Sequence, residues 1–265
     1  NTFGANWSNL SDYDIDDRIE ELAKAGAEIA RESAEKYEKK DGRMRWTLGS
    51  MGPGTKLPSL GHTTYDHLKK TFALQAKGLI LGGADAFMVE TSQDLLQTKA
   101  AINGCRVAMV ETDTRLPLFV EVTVETTGTM LMGSEINAAL TALEPLGIDM
   151  IGLNCATGPQ EMSEHLRQLS QHAEIPVMVM PNAGLPVLTA TGASYPLSPD
   201  DLATAHEQFV KEFGLSLVGG CCGTTPEHLG AVVKRLGGTA PKLRTPSPEH
   251  GVASLYQHVS LSQDS

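Results

Sequence analysis

The chain has 265 residues, of which 41% are hydrophobic and 20% charged, a composition typical of a globular protein with a sizeable core. Its formal net charge of −11 argues against a broad phosphate-binding surface, since nucleic-acid binding requires clustered Lys and Arg. With four cysteines, no long apolar run and no signal-like start, we expect a cytoplasmic protein without disulfides, membrane contact or nucleic-acid partners.

Short apolar runs alternate with longer segments of helical period along most of the chain. Early prolines and N-cap residues, as at Ser198-Pro199 and Thr225-Pro226, support the helices that follow them. In chain order the predicted elements are a helix at 15–37, a strand at 46–48, a helix at 65–81, a strand at 86–89, a helix at 95–103, a strand at 118–124, a helix at 135–146, a strand at 150–153, a helix at 159–172, a strand at 177–180, a helix at 199–213, a strand at 215–218 and a helix at 226–236. This alternation indicates βαβ units and a parallel sheet.

A doubly wound sheet and a closed (β/α)8 barrel both fit this alternation, and the positions of the polar residues favour the barrel. Nearly every predicted strand ends in polar or sulfur-containing residues, whereas a doubly wound sheet would concentrate its site at one switch point. The sequence also contains no G-x-G-x-x-G motif and no P-loop. The predicted fold is therefore α/β, a (β/α)8 TIM-type barrel.

The barrel in residues 1–240 is predicted to be incomplete. Six complete strand–helix units can be counted, and the opening NTFG resembles the end of a further strand. We therefore expect the first βα unit and part of the second strand to be missing. An open barrel exposes two strand edges, so the chain alone is expected to be poorly soluble, swapped or completed by further residues. Residues 241–265 are rich in Pro, Ser and Gly and are predicted to form a linker.

Three cysteines follow two of the predicted strands, Cys155 after one and Cys221 and Cys222 after another. Thiolates are soft ligands, and three of them with an open fourth position would suit a catalytic zinc ion. On spacing alone, ordinary buried cysteines are the better interpretation, because adjacent cysteines are not a standard zinc spacing. A disulfide between the adjacent pair is disfavoured in a reducing compartment. Cys105 lies after a predicted helix, away from the expected catalytic edge, and is predicted to be structural.

Glu90 ends a buried strand, where a carboxylate could bind a substrate ammonium group or form a structural ion pair. The histidines show no metal-binding spacing, and none is assigned to the metal. Those expected at the surface or on helices are His62, His67, His165, His172, His206 and His228.

Seven segments together resemble the homocysteine S-methyltransferase family, and within it most closely the cobalamin-dependent members. They are NTFGAN, GSMGPGTKLPSLGHTTYD, VETSQDLLQTKAAI, VTVETTGTMLMGSE, ALEPLGIDMIGLNCATGP, MPNAGLP and LVGGCCGTTPEH. The resemblance covers residues 1–236, and the pairing of G-x-N-C with G-G-C-C-G-T is highly specific. One motif of the family, an acidic residue followed by Gly-Ala on the first strand, does not occur in these 265 residues.

The resemblance implies a (β/α)8 barrel that holds zinc through Cys155, Cys221 and Cys222, with the homocysteine thiol as fourth ligand. Asn182 would take the fourth position without substrate, although its side chain could instead cap a turn.

For the substrate, the resemblance implies that Glu90 binds the homocysteine amino group and that Ser50 and Asn154 line the pocket. No catalytic residue beyond the metal ligands is implied.

The implied reaction is methyl transfer to the thiolate of L-homocysteine, which forms methionine. The donor would be methylcobalamin bound by another module of the same polypeptide, and the tail would lead towards a folate-binding module. Two alternatives stay open: a stand-alone methyltransferase that uses S-methylmethionine or betaine, and a non-catalytic structural zinc or binding module.

Overall fold

Residues 2–190 and 192–261 are described by the structure, a computed structural model whose chain divides into two units, Asn1–Val120 and Glu121–Ser265. The strand β3, at Leu118–Val122, runs through this boundary, so it is the last strand of the first unit and the first strand of the second.

The first unit packs four helices around two further parallel strands. Its elements before β3 are α1 (Trp7–Ser11), α2 (Ile19–Asp41), β1 (Leu48–Met51), α3 (Tyr65–Leu81), β2 (Ala86–Ser92) and α4 (Leu95–Glu111). Thr64 and Asp94 are the N-cap residues of α3 and α4, and their side-chain oxygens accept hydrogen bonds from backbone N–H groups of the first turn. An added Cβ at Gly104 would lie 2.9 Å from the backbone nitrogen of Ala73, so this glycine allows α3 and α4 to approach closely.

The second unit continues the alternation and adds two small hairpins. Its elements after β3 are α5 (Ile136–Leu143), β4 (Met150–Asn154), α6 (Pro159–His172), β5 (Val177–Met180), β6 (Val187–Thr189), β7 (Gly192–Ser194), α7 (Pro199–Gln208), β8 (Leu217–Val218), α8 (Pro226–Leu236), β9 (Gly251–Ala253) and β10 (His258–Ser260). β4 is parallel to β5, which is parallel to β8. The pairs β6–β7 and β9–β10 are antiparallel.

The strands of the main sheet follow one another in the order β1-β2-β3 in the first unit and β3-β4-β5-β8 in the second. Among the described strands of this sheet, β1 and β8 each have a single partner, so the sheet is part of a barrel and not a closed one. The predicted fold class, a TIM-type barrel that lacks part of its strands, is confirmed. In the described part of the chain, no helix is long and apolar enough to cross a membrane.

The opening NTFG was predicted to end a strand, and its first residue lies outside the described residues. The next two residues run beside the end of β1: the Thr2 hydroxyl donates to the Ser50 carbonyl at 2.7 Å, and the Gly52 N–H donates to the Phe3 carbonyl at 3.1 Å.

Most predicted elements are confirmed, and α3, β5, α6 and α8 have the predicted bounds. The prediction that Cys105 follows a helix is wrong, because α4 continues to Glu111. The strand predicted at 46–48 begins only at Leu48, and Trp46 is 67% exposed. Helix α1 and the two hairpins were not predicted.

The predicted linker, residues 241–265, is described as far as residue 261, and it packs against α5 and α6 of the second unit. The Ser134 hydroxyl donates to the Leu255 carbonyl at 2.5 Å, and the Glu135 N–H donates to the Tyr256 carbonyl at 2.8 Å. The Ser247 N–H donates to the Gln171 carbonyl at 2.7 Å. Its connecting role stays a prediction.

Candidate metal centre

The first cysteine of the centre occupies an unusual backbone position. Cys155 and Ala156 follow β4 with φ values of 60° and 57°, in the left-handed region that side-chain-bearing residues rarely adopt. The Cys155 N–H donates to the Met180 carbonyl at 3.2 Å, and the Thr157 N–H donates to the Cys155 carbonyl at 2.7 Å. Such strain persists only where the surroundings impose it, and here the two backbone hydrogen bonds hold the turn.

The adjacent cysteines lie in the glycine-rich loop after β8. The Cys221 N–H donates to the Pro181 carbonyl at 2.8 Å, and the Thr224 N–H donates to the Cys221 carbonyl at 3.1 Å. Gly223 has a φ of 78°, which favours glycine and closes the turn before α8. Both side chains thereby reach the loop after β4.

The three sulfurs converge within one metal-binding radius. The Sγ atoms of Cys155, Cys221 and Cys222 all lie within 4.8 Å of one another, and those of Cys155 and Cys222 are 3.7 Å apart. In a tetrahedral zinc site with Zn–S bonds of about 2.3 Å, sulfurs are about 3.8 Å apart. Among the described residues, this is the only group of three or more potential ligands that lies so close together. The donor set and its spacing therefore fit zinc.

The contacts between the thiols move their pKa values in opposite directions. A hydrogen bond from Cys221 lowers the pKa of Cys155 to about 6, and the same bond raises the pKa of Cys221 because that thiol must keep its proton. Burial raises the pKa of Cys222, and the nearby Cys155 thiolate raises it further. Without a metal, the first negative charge of the cluster therefore lies on Cys155, and a bound cation is needed to hold all three as thiolates.

Two asparagines named in the sequence analysis contact the cluster. Asn182 is 3% exposed, and its Oδ1 accepts the Cys222 N–H at 3.0 Å, while a side-chain hydrogen bond from Asn182 helps to lower the pKa of Cys155. Asn154 is fully buried, and its Nδ2 lies 3.9 Å from the Cys221 Sγ. The structure therefore shows Asn182 stabilising the loop of Cys222, and its role as fourth ligand stays a prediction.

Two histidines support the loops of the centre, a role that the sequence did not indicate. His206 on α7 is fully buried, and its Nε2–H donates to the Gly219 carbonyl at 2.6 Å. His228 on α8 is 7% exposed and bonds the side chain of Thr225 through Nδ1 and the Leu197 carbonyl through Nε2. Both lie on helices as predicted, but inside the protein. The burial of His206, although not its contact with the loop, could have been predicted, because this residue continues the apolar face of α7.

Tyr195 was also missed. An added Cβ at Gly223 would lie 2.3 Å from the Tyr195 ring, so the ring packs directly on the cysteine loop. Burial raises the pKa of Tyr195, and the neighbouring Cys222 raises it further. Tyr195 is therefore an aromatic side chain close to the thiols of the cluster.

Glu90 and Ser50 lie together in the first unit. They lie near the ends of the paired strands β1 and β2, and the Ser50 hydroxyl donates to Glu90 Oε1 at 2.5 Å. The residue after Glu90, Thr91, has a φ of 56°, a second strained position near a strand end. Ser50 is opposite Met88 in the strand register, so Glu90, two residues further along β2, lies on the same face of the sheet as Ser50.

Cys105 is fully buried in α4, with its Sγ 3.5 Å from the Met51 sulfur, and burial raises the pKa of its thiol. This is the environment of an unreactive core residue, in agreement with its predicted structural role.

Comparisons with known proteins identify the family of the chain. The family model of homocysteine S-methyltransferase matches residues 1–236. Methionine synthase from Mycobacterium tuberculosis is 61% identical over 264 residues, which are 100% of this chain and 22% of that protein. Methionine synthase from Mycobacterium leprae is 60% identical over 268 residues, which are 99% of this chain and 22% of that protein.

The fold also resembles solved structures of the homocysteine methyltransferase MmuM from Escherichia coli. The oxidized form superposes with a TM-score of 0.68 at 18% identity, over 88% of this chain and 77% of that one. The apo form has a TM-score of 0.64 at 19% identity, over 83% and 74%. These likenesses support the fold.

The chain is thus an α/β protein with part of a TIM-type barrel and three thiols gathered after its strands. The chain belongs to the homocysteine S-methyltransferase family. It spans 22% of the length of the methionine synthases that it matches.

Proposed function

We propose that the chain binds L-homocysteine and presents its thiolate for methylation, so that methionine is formed. The observation that carries this proposal is the convergence of three thiols, within 4.8 Å of one another, in a member of the homocysteine S-methyltransferase family. A thiol substrate is best activated by a thiophilic metal that leaves one ligand position open.

Cys155, Cys221 and Cys222 would hold the metal, which we propose to be Zn²⁺. When bound, zinc supplies a Lewis acid that keeps a fourth thiol deprotonated near neutral pH. The strained backbone of Cys155 and the glycine loop of the adjacent cysteines preorganise the three sulfurs. Little rearrangement is then required when the ion binds.

The remaining residues of the centre would keep the fourth position available. The side chain of Asn182 is buried against the cysteine loop and can supply an oxygen until the substrate sulfur replaces it. Asn154 contacts Cys221 and would line the substrate pocket. Neither side chain carries a charge, so neither adds to the negative charge of the three thiolates.

Glu90 would bind the ammonium group of homocysteine. Its carboxylate accepts a hydrogen bond from the Ser50 hydroxyl, and the two residues lie near the ends of adjacent parallel strands. Recognition of the ammonium group would position the substrate without contributing to the chemical step.

The methyl donor would be methylcobalamin carried by another module of a longer polypeptide. The support is that methionine synthases about 60% identical to this chain are several times longer, so most of their length lies outside the matched region. Residues 241–265 would connect to a folate-binding module. S-methylmethionine or betaine as donor, and a purely structural zinc site, are the alternatives.

Zinc–sulfur coordination tests the proposal. X-ray absorption should show about three Zn–S bonds and one lighter ligand without homocysteine, and about four Zn–S bonds with it. A ligand shell that is already closed and does not change on adding homocysteine would contradict catalysis and favour a structural zinc.

A further inference from the structure

Residues 195–197 follow the hairpin β6–β7 and run beside the metal centre. The Leu197 N–H donates to the Ala183 carbonyl at 2.9 Å, and the Ala183 N–H donates to the Cys222 carbonyl at 2.9 Å. This segment is therefore joined, through one intervening residue, to the backbone of a proposed metal ligand.

A histidine of α8 holds the same segment. The Thr225 N–H donates to His228 Nδ1 at 3.2 Å, so the neutral ring carries its proton on Nε2. That Nε2–H donates to the Leu197 carbonyl at 2.9 Å, and His228 is 7% exposed. Both backbone polar groups of Leu197 are thus hydrogen-bonded, which fixes the chain two residues after Tyr195.

The half-buried ring of Tyr195 occupies the space that a side chain at position 223 would need. An added Cβ at Gly223 would lie 2.3 Å from Tyr195 Cγ and 2.4 Å from Tyr195 Cβ. Gly223 follows Cys222 directly and has a φ of 78°. The ring therefore packs on the turn immediately after Cys222 and limits how far that turn can move.

The phenol of Tyr195 also interacts with the Cys222 thiol. Burial raises the pKa of Tyr195, and Cys222 raises it further, by its charge and as the acceptor of a hydrogen bond from the phenol. Burial and the negative charge of Cys155 raise the pKa of Cys222, whereas the hydrogen bond from Tyr195 lowers it. Both effects of this hydrogen bond have the sign expected when the hydroxyl donates to the sulfur.

We propose that Tyr195 is a positioning residue of the metal centre, which holds Cys222 through the packing of its ring on Gly223 and through a hydrogen bond from its hydroxyl to the Cys222 sulfur. The hydrogen bond occupies one lone pair of the sulfur and leaves another directed at the ion. Groups that hold metal ligands in this way typically contribute a factor of about 10–100 to metal affinity. The role of Tyr195 rests on the proposed function, in which Cys222 is a zinc ligand.

Zinc affinity and the absorption spectrum of the cobalt-substituted protein test this role. Tyr195→Phe keeps the ring and removes the hydroxyl, so zinc should bind about tenfold more weakly in competition with a chromophoric chelator. The sulfur-to-cobalt charge-transfer band should move to longer wavelength, because the sulfur loses a hydrogen bond that stabilises its electrons. Tyr195→Ala removes the ring as well and should weaken zinc binding further.

Tyr13→Phe is the matched control, since Tyr13 is 76% exposed in the first unit and should keep the wild-type affinity and spectrum. Melting temperatures of the zinc-free proteins are measured beside these, because a purely structural tyrosine would lower the melting temperature without moving the cobalt band. Wild-type affinity and an unmoved band in Tyr195→Phe would overturn the proposal, whatever the result for Tyr195→Ala. If the wild type bound neither metal, the proposed function and the role of Tyr195 would both be overturned.

Discussion

Cys155 shows how much of a site can depend on one backbone conformation. Its φ of 60° and that of Ala156, 57°, are costly for residues with a Cβ, and no residue preference in the sequence indicates them. The motif identifies the cysteine, but the direction of its thiol follows from tertiary hydrogen bonds such as that to the Met180 carbonyl. The residue types of the centre could therefore be predicted from the sequence, and the geometry could not.

The first prediction concerns the metal ligands. Replacing any one of Cys155, Cys221 or Cys222 by Ser should abolish stoichiometric zinc binding, because a hydroxyl is a poor ligand for zinc at neutral pH. Cys105→Ser is the matched control, since that thiol is buried in α4. Metal analysis after dialysis against a weak chelator measures the difference. Similar zinc contents in all four variants would show that the cluster is not the metal site.

The second prediction concerns Glu90. If its carboxylate binds the substrate ammonium group, Glu90→Gln should raise the homocysteine KM by about tenfold, the effect of losing one charged hydrogen bond. Zinc content should not change. Glu32→Gln, an exposed carboxylate on α2, is the control. A lower melting temperature with an unchanged KM would instead identify Glu90 as part of a structural ion pair.

The third prediction concerns the pH dependence of stability through His206. Burial lowers the pKa of this histidine from 6.5 to about 4, and its Nδ1 is buried with no described partner to accept a second proton. Between pH 6.5 and 4 the unfolded chain binds a proton that the folded chain does not. The free energy of unfolding should therefore decrease as the pH falls through this window, by roughly 2–4 kcal/mol, and level off below it.

Urea unfolding of the wild type and of His206→Gln between pH 4 and 7 measures this contribution. The variant is expected to be less stable at pH 7 and to lose part of the pH dependence. His67→Gln, which removes an exposed histidine, should retain the wild-type slope. If the pH dependence of stability were the same in His206→Gln as in the wild type, the ring would take up its proton at the same pH in the folded and the unfolded chain.

At the scale of elements, Arg244 in the tail donates hydrogen bonds to backbone carbonyls at the C-terminal end of α6. Nη1 of Arg244 lies 3.0 Å from the Ala173 carbonyl, 3.2 Å from that of Ser170 and 3.4 Å from that of Leu169. Its Nη2 donates to the Ile175 carbonyl, and burial lowers the pKa of the guanidinium. Carbonyls at a helix C-terminus have no partners within the helix, so this one side chain satisfies several of them.

The fourth prediction follows from this arrangement. Arg244→Met keeps the apolar stem and removes the donors, so the free energy of unfolding should fall by about 2–3 kcal/mol. Thermal melts should show a shift of roughly 2–4 °C for each kcal/mol lost. Arg18→Met removes a surface ion pair with Glu21, which water screens, and should leave the melting temperature almost unchanged. Equal shifts in the two variants would show that the tail does not stabilise α6.

Helices and strands differed in how well the sequence predicted them. Helices with strong start and end signals, such as α6 and α8, have the predicted bounds, because local capping determines where they begin. The hairpin β9–β10 lies in a Pro- and Ser-rich segment without strand periodicity, and its contacts with α5 are tertiary. The helix predicted at 95–103 continues to Glu111 in the structure. A glycine such as Gly104 is typical of a helix end, so the sequence favours the shorter helix. In the structure this glycine is instead a close-packing position between α3 and α4.

At the scale of the whole molecule, the alternation of strands and helices predicted a parallel sheet, the polar residues after the strands favoured a TIM-type barrel, and the number of strands indicated that the barrel is incomplete. Counting strands is possible because each one is a separate apolar run, and the observed sheet order follows the order of the chain. Barrel closure depends on a strand number and stagger that no local pattern encodes. The contacts between the tail hairpin and α5 escaped prediction for the same reason, since they join segments that are distant in the sequence.

The last prediction concerns the proposed methyl donor. Methionine synthases about 60% identical to the chain are several times longer than the region that they share with it. With zinc and homocysteine present, a longer polypeptide should form methionine from methylcobalamin and not from S-methylmethionine or betaine. Cys222→Ser in the same polypeptide should abolish methionine formation while leaving its cobalamin absorbance spectrum unchanged, because the proposed metal ligands and the donor module are separate. Efficient turnover with S-methylmethionine would instead assign the chain to the stand-alone methyltransferases.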